Sequence, residues 1–338
     1  MAMTIYDISK KAGVSIATVS RVLNDSENVR PSTRKKVMDV IDKYDYTPNA
    51  FARGMGLHSL KTIGILCADS SDLFLAKAVY FLEQELQANG YESLLCCTGY
   101  NLDIKKNYLN LILSKKVDSI ILVGSHFIGS TEDENQYIKD VSTQVPIMLL
   151  NASFDHPNVY STLCDDYGTM FEATTEMIQA GITDILYLYD SKSYSGKKKL
   201  SGFRDAMKEH NIPDYEKLIH FYDGNIEHLD EIADFVAGIA KKGASFHGIM
   251  TSDDSLAIGS IKYAQKRGIR IPEDLSVMGY NNSMLTNCCT PELTSVDNRL
   301  ETLTHQLVQT LLGVLAGEEM PKKSIFSGKI IKRGTTLF

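Results

Sequence analysis

The chain has 338 residues, 43% of them hydrophobic, and a net charge of −7. That length suits two or three domains with full cores. No apolar run reaches membrane-span length, and no charged-then-apolar leader opens the chain, so a cytoplasmic protein is expected. The charge is unevenly divided: residues 1–60 carry +3 and the remainder −10. A basic end on an acidic body confines phosphate affinity to one region.

The first twenty-four residues predict two short helices joined by a tight turn. Thr4 is a plausible N-cap, with Ile5, Ile8 and Ala12 at helical spacing behind it. Gly13 permits the positive φ of the turn and Ser15 caps the second helix. Val19, Val22 and Leu23 then face inward, leaving Ile16, Ala17, Thr18, Ser20 and Arg21 outside. This is the layout of a helix-turn-helix, whose second helix lies in the DNA major groove. A third helix is expected after Pro31, with Val37, Val40, Ile41 and Tyr44 on its core side and Arg34, Lys35 and Lys36 outside.

Residues 47–61 read as a linker that becomes helical only when something templates it, because Gly54 and Gly56 each cost about 1 kcal/mol relative to Ala. From Thr62 onward, apolar strands alternate with amphipathic helices. One strand series is expected at 62–67, 92–97, 119–124 and 147–151, and a second at 185–189, 217–221, 247–251 and 275–279. Helices are expected at 74–89, 108–115, 168–179, 202–210, 229–241 and 255–267. A final helix at 300–316 precedes a strand-like stretch near 324–332. Such alternation implies parallel sheets covered on both faces, arranged as two doubly wound α/β lobes.

The six cysteines form no C-x-x-C, and most lie in apolar strand-like runs, which favours buried free thiols over disulfides or a metal site. There is no G-x-G-x-x-G, Walker pattern, H-E-x-x-H or G-x-S-x-G, so no catalytic residue, cofactor or metal is expected.

Several segments together resemble the LacI/GalR family of bacterial transcription regulators along essentially the whole chain. They include Thr4-Ile5-x-Asp7-Ile8, Ala12-Gly13-Val14-Ser15, Thr18-Val19-Ser20-Arg21-Val22-Leu23-Asn24 and Tyr46-x-Pro48-Asn49…Ala52-Arg53. In the body they include Gly202-Phe203, Asp253-Asp254-x-x-Ala257-x-Gly259, Ile271-Pro272-x-Asp274 and Arg333-Gly334-Thr335-Thr336. The resemblance implies a three-helix headpiece (1–46), a hinge (47–61) and a periplasmic-binding-protein-like body. The body would comprise a first lobe at 62–162 and 291–320 and a second at 163–290 and 321–338. Chain crossings are expected near Cys164, Cys289 and Pro321. A homodimer would bind a near-palindromic operator, and an effector between the lobes would change operator affinity.

By position in the family, Ile16, Ala17 and Arg21 would face bases, with Arg21 suited to a bidentate contact with guanine. Thr4, Ser15, Thr18, Ser20, Asn24 and Asn28 would meet phosphates. Asn49, Ala52 and Arg53 belong to the hinge, where Met55 replaces the family's wedge leucine in the minor groove. Strand C-termini should converge on the cleft and bring Asp69-Ser70, Phe74, Ser125, Asn151, residues 193–199, Ser252-Asp253 and Asn281 together. Of these, Ser70, Phe74, Ser125, Asn151, Lys199, Asp253 and Asn281 are the candidate effector contacts.

Lys199 stands where the family often has an arginine, and Asn281 where it usually has an aspartate. Lysine is a point-charge donor, so bidentate carboxylate recognition is less natural here. Asp253, Asn151 and Asn281 suit vicinal sugar hydroxyls. Ile226 stands where some relatives stack an aromatic ring, which favours a small polyol or sugar over a purine, although Phe74 or Tyr194 could supply a stacking face. The expected function is a repressor of carbohydrate-utilisation genes. The alternative is a corepressor-type or phosphoprotein-controlled regulator with a non-sugar effector. Asp253 and Lys199 could instead form a plain structural ion pair.

Overall fold

A computed structural model describes residues 3–23, 26, 28–46 and 59–338. Asn24 and the hinge positions Asn49, Ala52, Arg53 and Met55 lie outside the described residues.

The N-terminal unit contains α1 (Ile5–Ala12), α2 (Ile16–Leu23) and α3 (Pro31–Lys43). Helix α1 starts on a capping box: the Thr4 hydroxyl accepts the Asp7 amide while the Asp7 carboxylate accepts the Thr4 amide. It ends at Gly13 in the left-handed region (φ 65°), which turns the chain directly into α2. Ile8, Ala12, Val19, Val22, Val37, Ile41 and Tyr46 form the small core. The expected Tyr44 is exposed, with the Lys11 ammonium over its ring, and Tyr46 fills the core instead. The cause is a left-handed residue at Asp45, which ends α3 and swings the next side chain inward.

The body holds two six-stranded sheets. The first contains β1 (Thr62–Cys67), β2 (Glu92–Cys97), β3 (Ser119–Val123), β4 (Ile147–Leu150), β5 (Val159–Cys164) and β11 (Lys323–Phe326). Their order is β11-β5-β4-β3-β1-β2, with every neighbour parallel. The second contains β6 (Ile185–Tyr189), β7 (Ile219–Phe221), β8 (Gly248–Thr251), β9 (Ser276–Tyr280), β10 (Thr294–Asp297) and β12 (Lys329–Ile331). Its order is β12-β10-β9-β8-β6-β7, parallel except for β12.

Strand alternation sends side chains to both faces, and both are covered. Ile63, Ile65 and Cys67 pack with α4 (Leu73–Ala88) and α11 (Leu300–Leu315), while Leu66 packs with α5 (Leu102–Ser114) and α6 (Glu132–Ser142). The second sheet is enclosed by α9 (Leu229–Lys241) and α10 (Asp254–Arg267) on one face, and by α7 (Asp166–Gln179) and α8 (Tyr194–Glu209) on the other. Gly202 lets α8 approach α7 closely: a Cβ there would lie 2.3 Å from the Tyr167 carbonyl oxygen.

Several boundaries differ from expectation. Strand β10 pairs with β9, so the second crossing runs through Asn298 and Arg299 rather than near Cys289. Strand β11 pairs with β5, so the third crossing falls at Ser327 and Gly328 rather than near Pro321. Residues 291–297 therefore belong to the second lobe and 323–326 to the first. The expected single strand near 324–332 is two strands, one in each sheet. Helix α8 starts at Tyr194, not 202, because the Ser193 hydroxyl caps the Gly196 amide. Helix α6 and strands β5 and β10 had no expected counterpart. Of the six free cysteines only Cys67 and Cys164 are buried, while Cys97 and Cys288 are exposed.

Candidate functional site

Helix α2 turns Val19 and Val22 into the headpiece core, with half-buried Leu23 packed against it, and sets Ile16, Ala17 and Arg21 outward. Ile16 is 40% exposed, Ala17 and Arg21 are exposed, and Thr18 and Ser20 are half-buried. The Ser15 hydroxyl caps the Thr18 amide at 3.2 Å and meets the Thr18 hydroxyl at 2.9 Å, fixing the N-terminus of α2. Asn28 is exposed between α2 and α3. The Thr4 hydroxyl donates to Asp7 at 2.6 Å, so its proton is already committed. Arg34, expected outside, folds its guanidinium back to donate to the Ser26 carbonyl at 2.7 Å.

In the body, six expected contacts line one interlobe cleft: Phe74, Ser125 and Asn151 from the first lobe, and Lys199, Asp253 and Asn281 from the second. The cleft has a volume of about 90 Å³. Hydrogen bonds between the lobes cross it, among them Ser125 Oγ to Ser193 Oγ at 2.8 Å, Lys197 Nζ to Ser130 Oγ at 2.6 Å and Ser191 Oγ with His126 Nε2 at 3.5 Å. The second lobe's Ser193 also caps α8, so lobe contact and helix capping share one hydroxyl.

Ser70 is not among the lining residues. Asp69 Oδ1 accepts from the Ser71 amide and hydroxyl, and the resulting turn leaves Ser70 exposed. Asp72 enters the cleft in its place and caps α4 through the Leu75 amide at 2.8 Å. Tyr194 likewise does not line the cleft, whereas Ile226 does. Ser195 lines it too, within the expected stretch 193–199, whereas His126, Asp190 and Ser191 are further lining residues that were not anticipated. Asp190 directly follows β6, so the strand-end rule that identified Asn151 and Asn281 could have found it.

The polar groups form a chain through the second lobe. Asp253 caps α10 through the Ser255 amide at 2.7 Å, and its other oxygen accepts from Asn281 Nδ2 at 2.8 Å. Asn281 Oδ1 accepts from Asn298 Nδ2 at 3.0 Å on the second crossing. Ser252 Oγ donates to Asp190 at 2.8 Å. Lys199 does not pair with Asp253. Its ammonium donates to the Ser252 carbonyl at 3.0 Å and stands 3.7 Å from the centre of the Tyr280 ring. Behind it, Asp166 accepts from the Ser195 hydroxyl at 2.5 Å and the Tyr280 hydroxyl at 2.7 Å. Asn151 Oδ1 is buried without a hydrogen-bond partner.

Two family descriptions match the chain: bacterial regulatory proteins of the lacI family over residues 4–49, and a periplasmic binding protein-like domain over 174–336. An HTH-type transcriptional regulator of Lachnoclostridium phytofermentans is 50% identical over 336 residues, covering 99% of this chain and 100% of the relative. The chain belongs to the lacI family. Catabolite control protein A of Priestia megaterium is 32% identical, over 88% of this chain and 87% of that protein. The crystal structure of the lac repressor dimer bound to operator and an anti-inducer superposes with a TM-score of 0.88 at 21% identity, covering 100% of both chains.

The protein is thus a DNA-binding transcriptional regulator, of a family of regulators rather than enzymes. Among its described residues no helix is long and apolar enough to cross a membrane.

The regulator's Asp253 carboxyl is enclosed although the residue is only half-buried overall. Burial, then the neighbouring charges of Asp190 and Asp254, push it up to about 7 from an ordinary 3.8. Between those two values the folded state keeps a proton that the unfolded chain releases, so this group's contribution to stability falls as pH rises through the window. Asparagine can keep the helix cap without the charge. The melting temperature of Asp253→Asn, relative to wild type, should therefore climb by a few degrees between about pH 5 and 8. A difference that stays flat in paired thermal scans would contradict this assignment.

Proposed function

We propose that this regulator is a repressor of carbohydrate-utilisation genes whose operator affinity is set by a small sugar-like effector in the interlobe cleft. The observation that carries this reading is the convergence of five polar side chains, Ser125, Asn151, Lys199, Asp253 and Asn281, together with Phe74, from both lobes on one cleft that lobe-to-lobe hydrogen bonds close. A ligand there touches both lobes at once, so it can change their relative orientation only by its differential affinity for the two arrangements. Asn151, Asn281 and Asp253 offer the donor and acceptor mixture that vicinal hydroxyls require. Ile226 offers no aromatic face, so Phe74 is left as the ring that a ligand face would pack against.

The headpiece acts as one half of a dimeric reader, in keeping with the dimer named for the lac repressor structure. Two copies placed about a two-fold axis meet a near-palindromic operator, each laying α2 in a major groove. Arg21 reads guanine, Ile16 and Ala17 make apolar contacts, and Ser15, Thr18, Ser20 and Asn28 approach phosphates. Asn24, Asn49, Ala52, Arg53 and Met55 complete the proposed contact set. A protein of this kind works in the cytoplasm.

Two measurements check the two halves of this reading. On an operator selected from random duplexes, Arg21→Ala should cost about 1–3 kcal/mol and relax preference at one base pair. A uniform loss across all sequences would make Arg21 a phosphate contact instead. In thermal unfolding of the full chain, a neutral or substituted monosaccharide at about 100 times its Kd should add about 2.7 kcal/mol of stability, and Asp253→Ala should abolish the gain. Silence across monosaccharides, disaccharides and polyols would remove the sugar-effector reading.

A further inference from the structure

The cleft's charges identify the effector more narrowly than hydroxyl recognition does. Three carboxyl groups line it, those of Asp72, Asp190 and Asp253, with Asp253 pushed up to about 7, against one lining ammonium, that of Lys199, and the imidazole of His126, while the Lys197 ammonium is engaged with Ser130 of the other lobe. The Lys199 ammonium is already spent. It is 93% buried, donates to the Ser252 carbonyl and rests on the Tyr280 ring, and its field acts on Asp166 and Asp254 behind the cleft wall. His126 is held below its ordinary value by burial and by the nearby Lys105, so at pH 7 it brings no charge.

The acids, by contrast, meet only neutral donors among the described residues. Asp72 accepts the Leu75 amide, Asp190 the Ser252 hydroxyl, and Asp253 the Ser255 amide and Asn281 side chain. Each carboxylate can accept about four hydrogen bonds, so all three retain capacity.

A second feature is independent of this charge. Asn151 is 93% buried and lines the cleft, and its Oδ1 has no hydrogen-bond partner among the described residues. A buried acceptor without a donor is costly, and a ligand N–H or O–H removes the cost. Among the described residues, no group of three His, Cys, Asp or Glu side chains is spaced to hold a metal ion. The three acids are thus spread around the cleft and not gathered about one point.

Asp190 raises both Asp72 and Asp253, and Asp72 also raises Asp253, so in this low-dielectric site the acids hold protons that a cationic ligand group would let them release. We propose that the effector carries a protonated amine beside its hydroxyls, as an amino sugar or aminopolyol does, and that the cleft rejects phosphorylated and carboxylated sugars. In this arrangement the ammonium lies among Asp72, Asp190 and Asp253, and Asn151 and Asn281 take the hydroxyls. The proposal rests on the cleft being the sugar-effector site. At about 90 Å³, well below the 300 Å³ where ordinary ligand pockets begin, the cleft favours one ring or less.

Isothermal titration of the full chain at pH 7 with glucosamine, galactosamine and mannosamine, their neutral parents, and glucose 6-phosphate and glucosamine 6-phosphate tests this directly. At least one amino sugar should bind about tenfold or more tighter than its parent, as a charge-assisted bond supplies, and both phosphates should bind more weakly than their unphosphorylated forms. In Asp190→Asn, which keeps an acceptor for Ser252, the amine preference, taken as the ratio of the two affinities, should fall about fivefold or more. In Asp190→Glu it should survive, which separates charge from simple misfolding. Neutral sugars binding as tightly as amines, or a phosphate binding best, would overturn the amine proposal while leaving the sugar cleft intact. Binding by no probe of either kind would overturn both.

Discussion

One chain crossing three times between two parallel sheets is the constraint on which the body depends. The crossings follow β5, β10 and β11, and each lobe therefore contains a strand that the chain reaches only after visiting the other. Neither sheet can be completed alone, yet each has its own pair of cores on its two faces. Two separately packed bodies joined along one edge are the architecture on which hinge closure depends in two-lobed proteins. The strand C-termini of both sheets open towards the cleft opposite each other, so the residues most able to alter the lobe angle are those at the strand ends. Ser125 after β3, Asn151 after β4, Asp190 after β6 and Asn281 after β9 all occupy such positions.

The cleft's polar chemistry is tied to the same edge. Asp253 holds Asn281, Asn281 holds Asn298, and Asn298 lies on the second crossing, one residue before the left-handed Arg299 that admits α11. The Asp253–Asn281 pair is thus linked directly to the second crossing between the lobes. On the other side, Ser193 joins lobe contact to the cap of α8, the helix that carries Lys199. Coupling of about 1–3 kcal/mol is enough for regulation.

Much of this was legible in the sequence. The headpiece was, because each of its three helices has a strict apolar face and its turn requires a glycine at position 13. The two lobes were, because Thr62–Cys67 and its successors are continuous apolar runs of strand length. Less accessible were β5 and β10, whose sequences Val159–Cys164 and Thr294–Asp297 mix serine and threonine with apolar residues and read as loop. Their threonines and serines are buried only because both faces of the sheets are covered. That error moved the second and third crossings.

In the site, position after a strand end identified most of the lining, while Ser70 failed because an Asp69-centred turn rotates it outward. The fate of Lys199 was not readable at all: its partners are a backbone carbonyl and a ring whose proximity only the folded second lobe creates.

The central claim is that cleft and headpiece are thermodynamically linked. It is tested most directly by measuring the affinity of one effector for the full chain twice, free and saturated with its selected operator. Linkage requires the operator to change effector affinity by the same factor by which the effector changes operator affinity, about 5–150-fold. Equal effector affinity in the two states would show that the cleft binds its ligand without consequence for DNA, and would contradict the account.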